Sequence, residues 1–220
     1  MRRLFRENGL SLLVFLLFFL FVVPQSLVGH RDYNQGQEEH QEPTVSYGEY
    51  LGEGHFVESI FENWESEFLQ IFGYVLLTGY LRQKGSPESK KLDGEEPVDA
   101  DSAQEVTADS PRLVRRGGFG ARLYSHSLSL VFAVLFLTSV VLHAAGGAKE
   151  YGDEQEVHGG QRVSVVEYTR TSRFWFESFQ NWQSEFLAVG SLVVLGIFLR
   201  ERGSPESKPV ARPHSATGGD

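Results

Sequence analysis

The chain has 220 residues, with 20 Lys and Arg against 29 Asp and Glu, a net charge of −9 and no cysteine. An acidic total argues against nucleic acid as the main partner, because phosphate binding needs a basic face. The missing thiols exclude disulfide frameworks, thiolate catalysis and the usual zinc ribbons. The apolar residues are bunched into runs rather than spread at amphipathic spacing, which points to a membrane.

The first run, Leu10–Val23, contains only Ser11 as a polar residue and follows Arg2, Arg3 and Arg6. With its flanks, about 9–28, it approaches the roughly 20 residues that cross a hydrocarbon core of about 30 Å as a helix. The same pattern fits the start of a secretory signal peptide. Next, Glu38 and His40 supply oxygen and imidazole groups of the kind that suit a transition metal, but their spacing matches no zinc pattern and a surface helix or loop explains them more simply. Ser46 followed by Glu49 predicts a helix capping box.

Val57, Phe61, Trp64 and Phe68 then fall at helical spacing and predict a helix that starts well before the apolar run Phe68–Leu81. The run alone covers about 21 Å, too little for the hydrocarbon. The second span therefore recruits residues upstream, about 62–82, with Trp64 in the interfacial aromatic belt. Gly85-Ser86-Pro87 predicts a helix stop, a serine cap and a new helix opening on proline. Residues 91–118 read as a flexible acidic linker, since Leu92–Pro111 has no aromatic residue and too little to bury.

From residue 119 the chain repeats itself. Shifted by 118 it aligns without a gap, and segment 55–90 matches 173–208 at 18 of 36 positions. Leu128–Leu142 repeats the first run with Ser129, Thr138 and Ser139 as its polar residues, and Phe186–Leu199 repeats the second. Spans are predicted at about 125–145 and 180–200, with Trp182 as the twin of Trp64. Glu156 and His158 repeat Glu38 and His40, and Ser164 and Glu167 repeat the capping box. Because the span at 128–142 is internal, its twin at 10–23 reads as a retained membrane helix rather than a cleaved leader. The organisation is repeat 1 over 1–90, the linker over 91–118, repeat 2 over 119–208 and a disordered tail over 209–220.

Orientation follows from lysine and arginine near the span ends. Arg2, Arg3 and Arg6 precede span one; Arg82, Lys84, Lys90 and Lys91 follow span two; Arg115, Arg116 and Arg122 precede span three; Arg200, Arg202 and Lys208 follow span four. All four clusters fall on one side, which places both termini and the linker in the cytoplasm. Arg31, Lys149, Arg162, Arg170 and Arg173 on the outer loops weaken the bias without reversing it. Each half enters and leaves on the same side, so the repeats have parallel topology.

The strongest candidates for chemistry are Glu67 and Glu185, with Asn63 and Asn181 one turn earlier on the same helix face. Glu67 lies 15 residues from Arg82, about 22 Å along an untilted helix, several ångströms inside the outer boundary of the hydrocarbon. Ionisable residues at such depth are costly and mark functional sites by default. An interfacial pair reaching the outer headgroups is the simpler alternative, and helix tilt decides between them.

The motif Phe61-Glu-Asn-Trp-Glu-Ser-Glu-Phe-Leu69, its copy Phe179-Gln-Asn-Trp-Gln-Ser-Glu-Phe-Leu187, and Gly-Ser-Pro-Glu-Ser-Lys at 85–90 and 203–208 resemble an uncharacterised family of bacterial multi-pass membrane proteins known as a domain of unknown function. The resemblance covers about 1–208 and implies location in the bacterial cytoplasmic membrane. It supplies no activity, cofactor or catalytic residue.

The expected fold is all-α, with four transmembrane helices arranged as two tandem helical hairpins of parallel topology. The expected function is a structural or interaction component of the membrane, with lipid, a second copy or another membrane protein as partner, and with no nucleic acid and no cofactor. The alternative is a proton or cation transporter or channel using the paired glutamates. A metal-dependent enzyme facing outward through His40 and His158 ranks third.

Overall fold

The computed structural model describes residues 2–100 and 104–218, and among these the regular elements are all helices, with no strand. The elements in order are α1 (Arg2–Glu39), α2 (Tyr47–Tyr50), α3 (Gly54–Tyr80), a 3-10 turn (Pro97–Asp99), α4 (Arg112–Arg116), α5 (Gly118–Ser125), α6 (Ser127–Val157), α7 (Val165–Tyr168) and α8 (Ser172–Phe198). Adding 118 to the bounds of α2 and α3 gives those of α7 and α8, and α1 and α6 end at Glu39 and Val157, again 118 apart.

The local sequence explains these bounds. α2 and α7 open on true capping boxes: Ser46 N donates to Glu49 Oε2 at 2.8 Å while Glu49 N donates to Ser46 Oγ at 3.4 Å, and Ser164 with Glu167 repeats the exchange at 2.8 and 3.3 Å. α3 and α8 start at Gly54 and Ser172, so the aromatic stripe is helical well before the apolar run. α1 is interrupted at Asn8 (φ −133°, ψ 15°) and contains Pro24, which leaves the Leu20 carbonyl without its helical donor.

Three features depart from the sequence expectations. The Gly-Ser-Pro motifs open no helix. Gly85 and Gly203 take φ of 84° and 88°, and Ser86 and Ser204 each accept the amide two residues on, at 3.2 Å, closing tight turns instead. Within the expected tether, whose residues 101–103 lie outside the described ones, Lys90 pairs with Asp99 and Lys91 N donates to Glu96 Oε1 at 2.5 Å. The tail after Lys208 folds back on the first turn, with Gly218 N donating to Ser86 O at 3.0 Å and Gly85 N to Thr217 Oγ1 at 2.9 Å.

Burial runs opposite to that of a water-soluble domain. Glu65, Ser66, Ser86, Ser139, His143, Ser178 and Lys208 are almost fully buried, whereas Leu10, Phe15, Phe21, Leu137 and Leu195 are exposed. Exposed apolar surface on this scale requires an apolar surrounding. Among the described residues, three helices are long and apolar enough to cross a membrane: Arg3–Glu39, Ser127–Val157 and Ser172–Phe198. α3 has the length of α8, but Glu65, Glu67 and Gln70 dilute its apolar run.

The contacts divide the chain into two compact units, Met1–Phe61 with Val141–Trp175, and Glu62–Val140 with Phe176–Asp220. In the first, the buried Tyr50 lies against Gly29 and the buried Tyr168 against Gly147, positions where any Cβ would overlap the phenol ring or hydroxyl. Tyr33 and Phe56 flank Tyr50 at 5.7 and 5.4 Å, and their counterparts Tyr151 and Phe174 flank Tyr168 at 5.9 and 5.7 Å. Gly54 and Gly146 let α3 and α6 meet backbone to backbone, since a Cβ on Gly146 would lie 2.6 Å from Glu58 N. Small residues serve close helix crossings in membranes in this way.

Candidate functional site

In the second unit, α3 and α8 bring their polar residues together. Glu67 and Glu185 lie close enough for their charges to interact, and Gln70 Nε2 donates to the Glu185 carbonyl at 3.1 Å. Glu67 is exposed and Glu185 half-buried. Asn181 Nδ2 donates to Glu177 O at 3.1 Å within α8, so its amide is engaged by its own helix. Asn63 is exposed, and its carbonyl accepts from Ser66 Oγ at 2.8 Å.

The most enclosed carboxylate of the group is Glu65. It is fully buried, and its Oε1 accepts from Trp182 Nε1 at 2.8 Å. Trp182 also packs against Phe136 and Phe179 at 6.2 and 5.6 Å, so it is tied into the helix packing in addition to any interfacial role, while Trp64 contacts Phe68 edge-on at 6.3 Å. Identity between the repeats selects Glu67 and Glu185 but passes over Glu65, whose counterpart Gln183 is exposed and donates to Gln180 O at 3.0 Å. The available signal was a glutamate at one of the two unmatched positions, Glu62 and Glu65, inside an otherwise shared motif.

At the ends of α3 and α8, the two Gly-Ser-Pro-Glu-Ser-Lys turns meet. Tyr74 Oη donates to Glu88 Oε2 at 2.7 Å, and the Glu88 carboxyl lies close enough to its counterpart Glu206 for their charges to interact. Burial raises the Glu88 pKa above the usual carboxylate range and repulsion from Glu206 adds to this, against the opposing Tyr74 bond. Lys208, 1% exposed, sets its ammonium on the carbonyls of Gly85 (2.5 Å), His214 (3.0 Å), Ala216 (3.0 Å) and Pro213 (3.5 Å), and burial lowers its pKa.

The raised Glu88 pKa fixes a sign. The neutral form is favoured in the folded turn, so its contribution is full below the ordinary carboxylate range and is lost as pH rises through the raised value. Thermal unfolding of the detergent-solubilised protein is expected to shift downward as pH rises above the ordinary carboxylate range, with Glu88→Gln flattening that slope. An unchanged slope in Glu88→Gln would contradict the raised Glu88 pKa.

In the first unit, a cleft of about 720 Å³ is lined by His40, His55, Glu53, Glu150, Asp153 and His158, among others. The rings of His40 and His158 are 6.4 Å apart, and each Nδ1 donates to a carbonyl one turn back, Gly36 O and Glu154 O, at 2.8 Å. Arg162 donates to Glu156 at 2.8 Å and pairs with Asp153 at 2.7 Å, so a guanidinium supplies the positive charge there. Glu38 is exposed on the last turn of α1.

With this geometry in place, comparison with known sequences gives one match: the family described as Domain of unknown function (DUF6766) covers residues 1–219, and the chain belongs to it. No curated protein and no solved structure matches.

Proposed function

We propose that this family member is a four-span tandem-repeat protein of the bacterial cytoplasmic membrane, with both termini cytoplasmic, and that it works as a non-enzymatic interaction component. The observation that carries the reading is the inverted burial. Polar groups such as Glu65, Ser139 and Lys208 are buried, while the apolar faces of the long helices are left for lipid and for partner helices. Within the second unit, polar and aromatic contacts such as Glu65 with Trp182, Gln70 with Glu185 and Phe68 with Phe132 at 6.2 Å are the kind that hold membrane helices together. α3 counts as a span by its 27 residues and its likeness to α8.

A photo-crosslinker at Leu77 or Leu195 is expected to trap a discrete protein adduct in native membranes; adducts to lipid alone would oppose an interaction role. The proximity of Glu67 and Glu185 supports a second reading, a proton or cation path. Proteoliposomes then carry an ion flux that disappears in the double variant Glu67→Gln with Glu185→Gln. No flux in the parent protein, or an unaltered flux in the double variant, removes this second reading.

A further inference from the structure

The stretch just before α6 is a small basic helical hairpin rather than an unstructured approach. α4 and α5 fold on each other, with Leu113 Cδ2 lying 3.6 Å from where a Cβ on Gly120 would sit, and Gly117 and Gly118 make the bend at φ of 67° and 68°. A side chain at either position would be strained in that conformation.

The hairpin carries Arg112, Arg115, Arg116 and Arg122, all exposed, with no acidic residue from Pro111 to His126 in a chain of net charge −9. None of the four forms an ion pair among the described residues. Interleaved with them are Phe119, 78% exposed, Leu123 and Tyr124, also exposed. A soluble surface with this composition is costly, because a large aromatic side chain gains from leaving water.

Covalent continuity fixes where the hairpin stands. α5 ends at Ser125, α6 begins at Ser127, and its apolar run starts at Leu128. If α6 crosses the bilayer, α5 is held within a few residues of the headgroups. Arginines with aromatic and aliphatic side chains on a short helix at that level form an interfacial anchor.

We propose that α4 and α5 form a docking surface for the anionic phosphate headgroups of the bilayer, with Arg112, Arg115, Arg116 and Arg122 on the phosphates and Phe119 and Leu123 in the acyl boundary. This rests on the reading of α6 as a membrane span. Each arginine contributes on the order of a fivefold gain in partition near an anionic surface.

The full chain in nanodiscs tests it, with trypsin acting on the natural Arg112–Arg122 sites and cleavage after Lys91 as internal reference. Relative cleavage at Arg112–Arg122 is expected to fall at least tenfold when phosphatidylcholine discs are replaced by discs containing about one third phosphatidylglycerol. Phe119→Ala with Leu123→Ala is expected to restore cleavage without changing the Lys91 rate. Equal relative cleavage in the two lipid compositions overturns the proposal, as does equal protection by soluble glycerol phosphate in phosphatidylcholine discs. Retention of the 123–149 fragment in the disc reports separately on α6, so release of that fragment overturns the membrane reading rather than the lipid site alone.

Discussion

Gly146→Leu is expected to disrupt the first unit more than any other single change. A Cβ at Gly146 would lie 2.6 Å from Glu58 N and 3.1 Å from Glu58 Cα, and one at Gly54 would lie 2.7 Å from Gly146 O. The obstacles are backbone atoms, so no rotamer change relieves the overlap, and the two helices must separate. Separation also unseats Tyr168, whose hydroxyl donates to Glu58 Oε1 at 2.8 Å in a fully buried position. Overpacking typically costs about 1–3 kcal/mol, and with backbone on both sides a loss of about 3 kcal/mol, or roughly 10 °C in Tm, is expected. Gly190→Leu is the matched control, because nothing lies within 4 Å of a Cβ there. Equal melting temperatures for the two variants would contradict the close crossing.

The second large effect is expected from Lys208→Met, which keeps the length of the side chain and removes its three donors. The carbonyls of Gly85, His214 and Ala216 then lose their partner in a buried place. An unsatisfied buried polar group costs about 1–3 kcal/mol, so the tail is expected to detach from the 85–89 turn by about 3 kcal/mol, and proteolysis follows the open population. Proteinase K cleavage within residues 209–217 should rise by about a hundredfold, the factor that 3 kcal/mol gives, while Lys90→Met, whose parent side chain pairs with Asp99, leaves that rate unchanged. No change in cleavage within 209–217 in Lys208→Met would show that the carbonyl cage does not hold the tail.

Much of the local structure was legible because its causes are local. Ser46 with Glu49 and Ser164 with Glu167 specify their caps within four residues, and the stripe from Val57 to Phe68 specifies a helix through its own spacing. The Gly-Ser-Pro motif misleads because proline fits a turn as well as a first helical position. Ser86 settles the matter by taking the Glu88 amide, and no apolar periodicity follows that would reward a helix. The tail was opaque for a different reason. Its order comes from contacts with residues more than a hundred positions away, such as Gly85 and Ser86, which composition does not register.

The candidate site divides in the same way. Matching the repeats brings forward Glu67 and Glu185, which do approach each other. It discards Glu65, because a hydrogen bond from Trp182 of one repeat to Glu65 of the other needs only one such glutamate. A contact between repeats breaks their symmetry, so the informative residue stands where the copies differ. The two Gly-Ser-Pro-Glu-Ser-Lys motifs show the converse, since they read as two separate turns, yet Lys208 of one holds the Gly85 carbonyl of the other.

The central claim is that α3 crosses the membrane as α8 does, giving four spans with both termini on one side. The cysteine-free chain permits a direct measurement: single variants Thr44→Cys, Gln161→Cys, Glu95→Cys and Val210→Cys, labelled in intact cells with a membrane-impermeant maleimide and again after permeabilisation. Labelling of Thr44→Cys and Gln161→Cys in intact cells, with Glu95→Cys and Val210→Cys reacting only after permeabilisation, is the predicted result. Labelling of Thr44→Cys and Glu95→Cys from the same side would contradict it.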